Sequence, residues 1–108
     1  MAIVYAICNT QSGAAYIGQS QYPLRFRWSG HHTLLQRGKH HNGLLQKAWD
    51  IDGSSSFVLV VLERFGVDGE GLTHLQRNHY ERRWLARARA AGIVLYNDQV
   101  GRGRKEAA

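Results

Sequence analysis

The opening twenty residues constrain the fold most. Ile3, Val4, Tyr5 and Ile7 on one side, and Ala15, Tyr16 and Ile17 on the other, flank the turn-rich run Asn9-Thr10-Gln11-Ser12-Gly13. β-Branched and aromatic residues bracketing such a turn read as a β-hairpin. A register with Tyr5 opposite Tyr16 brings both phenols out on one face, but a loop of this length leaves the register open. The Tyr16-Ile17-Gly18 triplet carries the sharpest question. A tyrosine near a phosphate, an arginine and a metal-binding carboxylate can help to activate water, whereas a tyrosine in an ordinary hairpin only packs.

The rest of the chain supplies the other elements. Pro23 suits the first turn of a helix that runs to about 37, with Gly30 weakening its middle and Gly38 as its stop. A second helix over 42–50 carries Leu44, Leu45, Ala48 and Trp49 on one face, and Gly53 ends it. After a polar turn at 53–56, the run 57–62 is continuous, apolar and β-branched. That pattern predicts a central strand buried on both faces, ended at solvent by Glu63 and Arg64. A glycine-punctuated loop at 66–71 leads into the longest helix, 73–91, closed by Gly92, and 93–96 add a short extended piece. The order β-β-α-α-β-α predicts an α+β fold: a small antiparallel sheet of about three strands flanked by helices. Residues 1–100 form one domain without internal repeat or linker, and 101–108 a basic, flexible tail.

A chain of 108 residues suits one core that buries about two-thirds of its unfolded surface. Hydrophobic residues at 44% and a single proline argue against a disordered majority. Cys8 is the only cysteine, which excludes an internal disulfide and a multi-cysteine zinc site and makes a reducing cytoplasm the expected compartment. The N-terminus lacks a basic leader region and the longest aliphatic run, 58–62, is far too short to span a bilayer, so neither secretion nor membrane insertion is expected. The formal charge of +6 and pI near 10 suit a protein that meets phosphates. The basic residues cluster at 25–47, 77–89 and 102–105, away from the strand-like segments.

Glu81 shares a helical stripe with Trp84, Leu85 and Ala88, so its carboxylate faces the packed side, while Arg82, Arg83, Arg87 and Arg89 fall on a solvated face. The plain alternative for Glu81 is an i, i+4 salt bridge with Arg77. The pairs His31-His32 and His40-His41 invite a zinc reading, but adjacent helical residues point about 100° apart and do not easily face one ion, and no HExxH or cysteine pair supports it. His40 and His41 instead cap the second helix or contact phosphate. Trp28, Trp49 and Trp84 are expected in the core, as is an inert Cys8.

Taken together, these residues resemble a GIY-YIG nuclease domain, similar to the N-terminal catalytic domain of phage intron-encoded homing endonucleases. The resemblance covers nearly the whole chain. It rests on Val4-Tyr5, the intact Tyr16-Ile17-Gly18, Arg27-Trp28 followed by His31, Gly38 with His40, Leu45-Gln46 before Trp49, Val61-Leu62-Glu63, Glu81 followed by Trp84, and Tyr96-Asn97. The first triplet departs from the pattern, with Ile3 in place of glycine and Val4 in place of isoleucine.

The resemblance implies a DNA endonuclease that uses one divalent ion, Mg²⁺ with Mn²⁺ as a substitute, held by Glu81, waters and phosphate oxygens. Mg²⁺ keeps several waters, so one carboxylate plus substrate can complete its shell. The implied catalytic set is Tyr5, Tyr16, Arg27, His31, Glu81 and Asn97. Arg27 neutralises charge at the scissile phosphate, with Arg25 its nearest rival. Tyr5 orients or deprotonates water, with Tyr16 beside it and His31 assisting; the residues do not divide the base role among these three. Asn97 fixes the site by hydrogen bonding, or serves only as a turn residue. Arg25, Arg37, Lys39, His40 and Lys47 are the expected DNA contacts. The catalytic fold uses up the chain, so specificity must come from a homodimer, a further DNA-binding domain or a partner protein. The alternative from another class is a catalytically quiet nucleic-acid-binding module on the same fold. RNA stays open as a substrate, although nothing in the sequence reads the 2′-hydroxyl.

Overall fold

The computed structural model describes residues 2–65 and 73–98. The glycine-rich loop at 66–71 and the basic tail at 101–108 lie outside the described residues. Strands β1 (Ala2–Asn9) and β2 (Ala15–Ser20) form the hairpin, followed by helices α1 (Leu24–Gln36) and α2 (Gly43–Asp52). A 3₁₀ turn at Ser54–Ser56 then leads into strand β3 (Phe57–Phe65), and α3 (His74–Ala90) is the long helix. The sheet is antiparallel with strand order β2-β1-β3.

One expectation is corrected here. β3 is an edge strand, longer than expected, and Val58 and Val60 on it are exposed; the central strand is β1, whose Val4, Tyr5 and Ile7 are wholly buried. A continuous apolar run reports that a strand's surroundings are apolar, not how many neighbours it pairs with. The register that the loop left open is now set. Tyr5 lies opposite Gly18, and Tyr16 opposite Ile7. Both phenols still share a face, one step apart along the diagonal. The reason is steric: a Cβ at position 18 would lie 2.6 Å from Tyr5 Cζ, so only glycine lets the Tyr5 ring cross β2.

Alternation along β1 builds two cores. Ile3, Tyr5 and Ile7 pack with Leu35 of α1, Leu45 and Trp49 of α2, and Phe57. Val4 and Ala6 pack on the opposite face with Ile17, Leu95, and Leu85 and Ala88 of α3. Helices therefore cover both faces of the sheet, and burying a side chain such as Leu45 contributes roughly 2 kcal/mol. The caps follow the local sequence. Asn42 accepts the Leu45 amide at the start of α2, and Thr73 with Gln76 forms a capping box on α3. Gly38, at φ 71°, takes the left-handed position that stops α1.

The outer edge of β2 is closed by the segment after α3. Ala15 N–H donates to the Val94 carbonyl at 3.0 Å, and Ala15 makes a parallel bridge with Leu95. This bridge is what the extended piece at 93–96 amounts to. Among the described residues no helix is long and apolar enough to cross a membrane.

Candidate active site

The candidate residues gather where the β1–β2 hairpin meets α1 and the turn between α1 and α2. Tyr5 crosses Gly18 and ends among α1 side chains: Arg27 Nε donates to its Oη at 3.1 Å, and His31 Nε2 lies 2.6 Å from the same oxygen. His31 Nδ1 in turn lies 2.7 Å from His40 Nε2, and the Asn42 backbone N–H donates to His40 Nδ1 at 3.0 Å. Gln46 holds that turn from α2, accepting the His40 amide at 3.0 Å and donating to the Leu35 carbonyl at 2.9 Å. Tyr16, half-buried beside this chain, places its Oη 3.2 Å from His41 Nε2, and the His41 ring stacks on His40.

Tyr5 and His31 are enclosed, at 0% and 2% exposure, whereas Tyr16, Arg27 and Glu81 are only half-buried. That contrast separates a buried layer from one that substrate can reach. A cleft of about 160 Å³ opens beside Arg27, lined also by Gln19, Ser20, Gln21, Tyr22 and Arg77. α3 reaches it from the other face of the sheet, with Gln19 Nε2 donating to Asn78 Oδ1 at 3.3 Å. Glu81 stands one helical turn beyond Arg77 and acts electrostatically on both phenols. A larger hollow of about 470 Å³, between Pro23, Leu24, Arg25, Trp28 and Leu59, contains none of the implied catalytic residues.

The electrostatics follow from enclosure. Burial pushes both phenols above their usual range, and Arg27 pulls each back. Burial and the Arg27 guanidinium drive the His31 imidazole down to about 3. Burial and the neighbouring His41 bring His40 down to about 4. Both rings are therefore neutral near pH 7. Burial also raises the Glu81 carboxyl, against the opposing pull of His74 and Arg82.

Asn97 reaches the site through backbone. Its Oδ1 accepts the Ile17 N–H at 2.9 Å and its Nδ2 donates to the Ile17 carbonyl at 2.8 Å, so one amide side chain pairs with both free groups of the edge strand. Arg25 turns away, its guanidinium 5.0 Å over the Phe26 ring. Arg37, Lys39 and Lys47 are exposed, and His40 is 7% exposed with both ring nitrogens engaged. The tryptophans divide: Trp49 is buried, while Trp28 and Trp84 flank the two cores, with Trp84 Nε1 donating to Glu63 Oε1 at 2.7 Å. Cys8 is half-buried with a free thiol. Sequence reasoning did not find the His41 contact with Tyr16 or the polarity that Asn42 gives to His40. The signal available was the run His40-His41-Asn42 ahead of a helix, but which ring meets which phenol depends on how α1 and α2 pack.

This plan has known counterparts. The family model of the GIY-YIG catalytic domain matches residues 1–97. The chain belongs to the GIY-YIG family of nuclease domains. Among solved structures, the catalytic domain of the homing endonuclease I-TevI is similar at a TM-score of 0.70 and 22% identity, covering 81% of this chain and 87% of that one. A glutamate-to-alanine mutant of the I-TevI catalytic domain matches at 0.68 and 23% identity, over 81% and 84% of the two chains. No curated protein sequence matches.

Proposed function

We propose that the chain is a divalent-metal-dependent endonuclease that hydrolyses DNA phosphodiester bonds with little sequence preference of its own. The observation that carries this reading is the convergence of Arg27 from α1 and Arg77 from α3 on one cleft, next to two phenols and a carboxylate, Glu81, that acts on both of them. Two arginines lining one small cleft suit a phosphate, and a planar fork neutralises it in a fixed orientation. Among the described residues no three histidine, cysteine or acidic side chains cluster as a ready-made metal cage. A lone half-buried carboxylate fits Mg²⁺, which keeps waters and takes substrate oxygens. Glu81 would hold that ion, or Mn²⁺ in its place. When bound, the ion supplies Lewis-acid stabilisation of the phosphate charge and acidifies water.

The protein's own groups divide the remaining work. Water must reach the base, and Tyr5 is closed to it; Tyr16 is the phenol that water can reach. In this reading a water hydrogen-bonded to Tyr16 Oη attacks phosphorus. Its proton passes to Tyr16 as the Tyr16 proton moves to His41 Nε2, 3.2 Å away. The new P–O bond forms as the bond to the departing sugar oxygen breaks, and Arg27 stabilises the charge that spreads over the phosphoryl oxygens. Tyr5 and His31 hold Arg27 from behind, and Asn97 fixes Ile17 and thereby Tyr16 and Gly18. The exposed Arg25, Arg37, Lys39 and Lys47 bind the DNA backbone, and sequence choice comes from a second copy or another DNA-reading unit. The lone free Cys8 suits a reducing cytoplasm.

An end-labelled duplex tests this reading. Glu81→Gln is expected to lower cleavage by about a thousandfold or more while duplex affinity, read by fluorescence anisotropy, stays near wild type. Cleavage by Glu81→Gln at the wild-type rate would refute the assignment.

A further inference from the structure

We infer that the Asn42 backbone amide sets the direction of a buried hydrogen-bond chain through His40 and His31 to Tyr5, and that His40 is the positioning residue through which this chain holds Arg27 toward the substrate phosphate. The inference rests on the nuclease reading for its consequence, but the direction of the chain follows from geometry alone. A backbone N–H can only donate, so His40 Nδ1, 3.0 Å from the Asn42 nitrogen, carries a lone pair. A neutral imidazole has one hydrogen, which therefore sits on His40 Nε2 and points at His31 Nδ1, 2.7 Å away. His31 Nδ1 must accept it, so the His31 hydrogen sits on Nε2 and is donated to Tyr5 Oη at 2.6 Å. The opposite direction would require both His40 nitrogens to accept, which a neutral imidazole cannot do.

The consequence lies at the end of the chain. Tyr5 Oη accepts from His31 Nε2 on one side and from Arg27 Nε, at 3.1 Å, on the other. Both lone pairs are then used, and no described residue accepts the phenol's own hydrogen. With Nε tied to Oη, the Arg27 guanidinium is fixed in orientation where it lines the cleft, and Nε is not the nitrogen left for a phosphate. If His40 could not donate, His31 would be free to take the other tautomer and become an acceptor for Tyr5. The double-acceptor anchor for Arg27 would then be lost. Gln46 belongs to the same device, because it holds the His40 amide at 3.0 Å and keeps the ring in line.

Nitrogen NMR of the uniformly ¹⁵N-labelled protein near pH 7 reads the tautomers directly. Both His31 and His40 are expected as neutral Nε2–H forms, and an Nδ1–H form of either ring would overturn the inference. This arm stands even if the protein proves not to be a nuclease. The kinetic arm compares His40→Leu, which cannot donate, with His40→Gln, whose amide can donate to His31 Nδ1. His40→Leu should lower kcat by about a hundredfold with KM little changed, and His40→Gln should recover most of that loss. Equal kcat values for the two variants, or a Leu variant impaired only in thermal midpoint, would show that His40 merely packs. Absence of DNA cleavage in the wild type would instead remove the nuclease reading and leave the hydrogen-bond chain to be decided by the NMR result.

Discussion

At the scale of single residues, two neutral imidazoles enclosed behind a tyrosine make the fold sensitive to acid. In the unfolded chain a histidine titrates near 6.5, whereas His31 and His40 are held down to about 3 and about 4. Below pH 6.5 the unfolded state therefore binds more protons than the folded one. Their contribution is fully present above 6.5 and is lost progressively as pH falls toward 4 and then 3. Between pH 7 and pH 5 each ring should cost about 2 kcal/mol of stability, read as a falling urea midpoint. A midpoint that does not change over that interval would mean that neither ring is held neutral by the fold. Gly18 makes a second prediction. Gly18→Ala drives a methyl into the Tyr5 ring and should lower stability by about 1–3 kcal/mol in thermal melts, since the ring is enclosed on every side. An unchanged melting point would show that the Tyr5 ring can move aside. This glycine was legible in the sequence as part of a triplet. Its reason was not, because the close approach of Tyr5 to position 18 depends on the hairpin register.

At the scale of elements, the helices were read well because their ends carry local chemistry. Asn42 acts through its side chain on an amide three residues on, and Gly38 and Gly92 through their own backbone, so sequence suffices to find them. The strands were read less well, because pairing is decided by partners far along the chain. The run 57–62 looked central and proved to be an edge, while β1, with a cysteine and two alanines among its buried and half-buried positions, proved central. The edge of β2 depends on Asn97 in the same non-local way. Asn97→Ala removes both hydrogen bonds to Ile17 and should cost about 1–3 kcal/mol. It should also speed hydrogen exchange at the Ile17 amide. Protection of that amide unaffected by the substitution would show that the edge is held by other contacts.

At the scale of the whole molecule, the α+β class, the order of the elements and the cluster of Tyr5, Tyr16, Arg27 and His31 were all within reach of the sequence. The split of that cluster into an enclosed layer and a reachable one was not, since exposure emerges only when α1 and α2 close over the hairpin. If the chain binds DNA as proposed, the net charge of +6 makes that binding depend on salt. DNA affinity should fall steeply between 50 and 200 mM salt, and the double variant Arg37→Glu/Lys39→Glu should flatten the slope of log K against log salt by about two. An unaltered slope would place the DNA elsewhere on the surface. Whether the proposed metal-dependent nuclease is centred on Glu81 is decided with supercoiled plasmid incubated with Mg²⁺ or with EDTA, using wild type and Glu81→Gln. Nicked or linear plasmid is expected only with wild type and Mg²⁺. Intact plasmid that merely shifts in mobility with wild type, in Mg²⁺ and in Mn²⁺ alike, would contradict it and leave a DNA-binding module on the same fold.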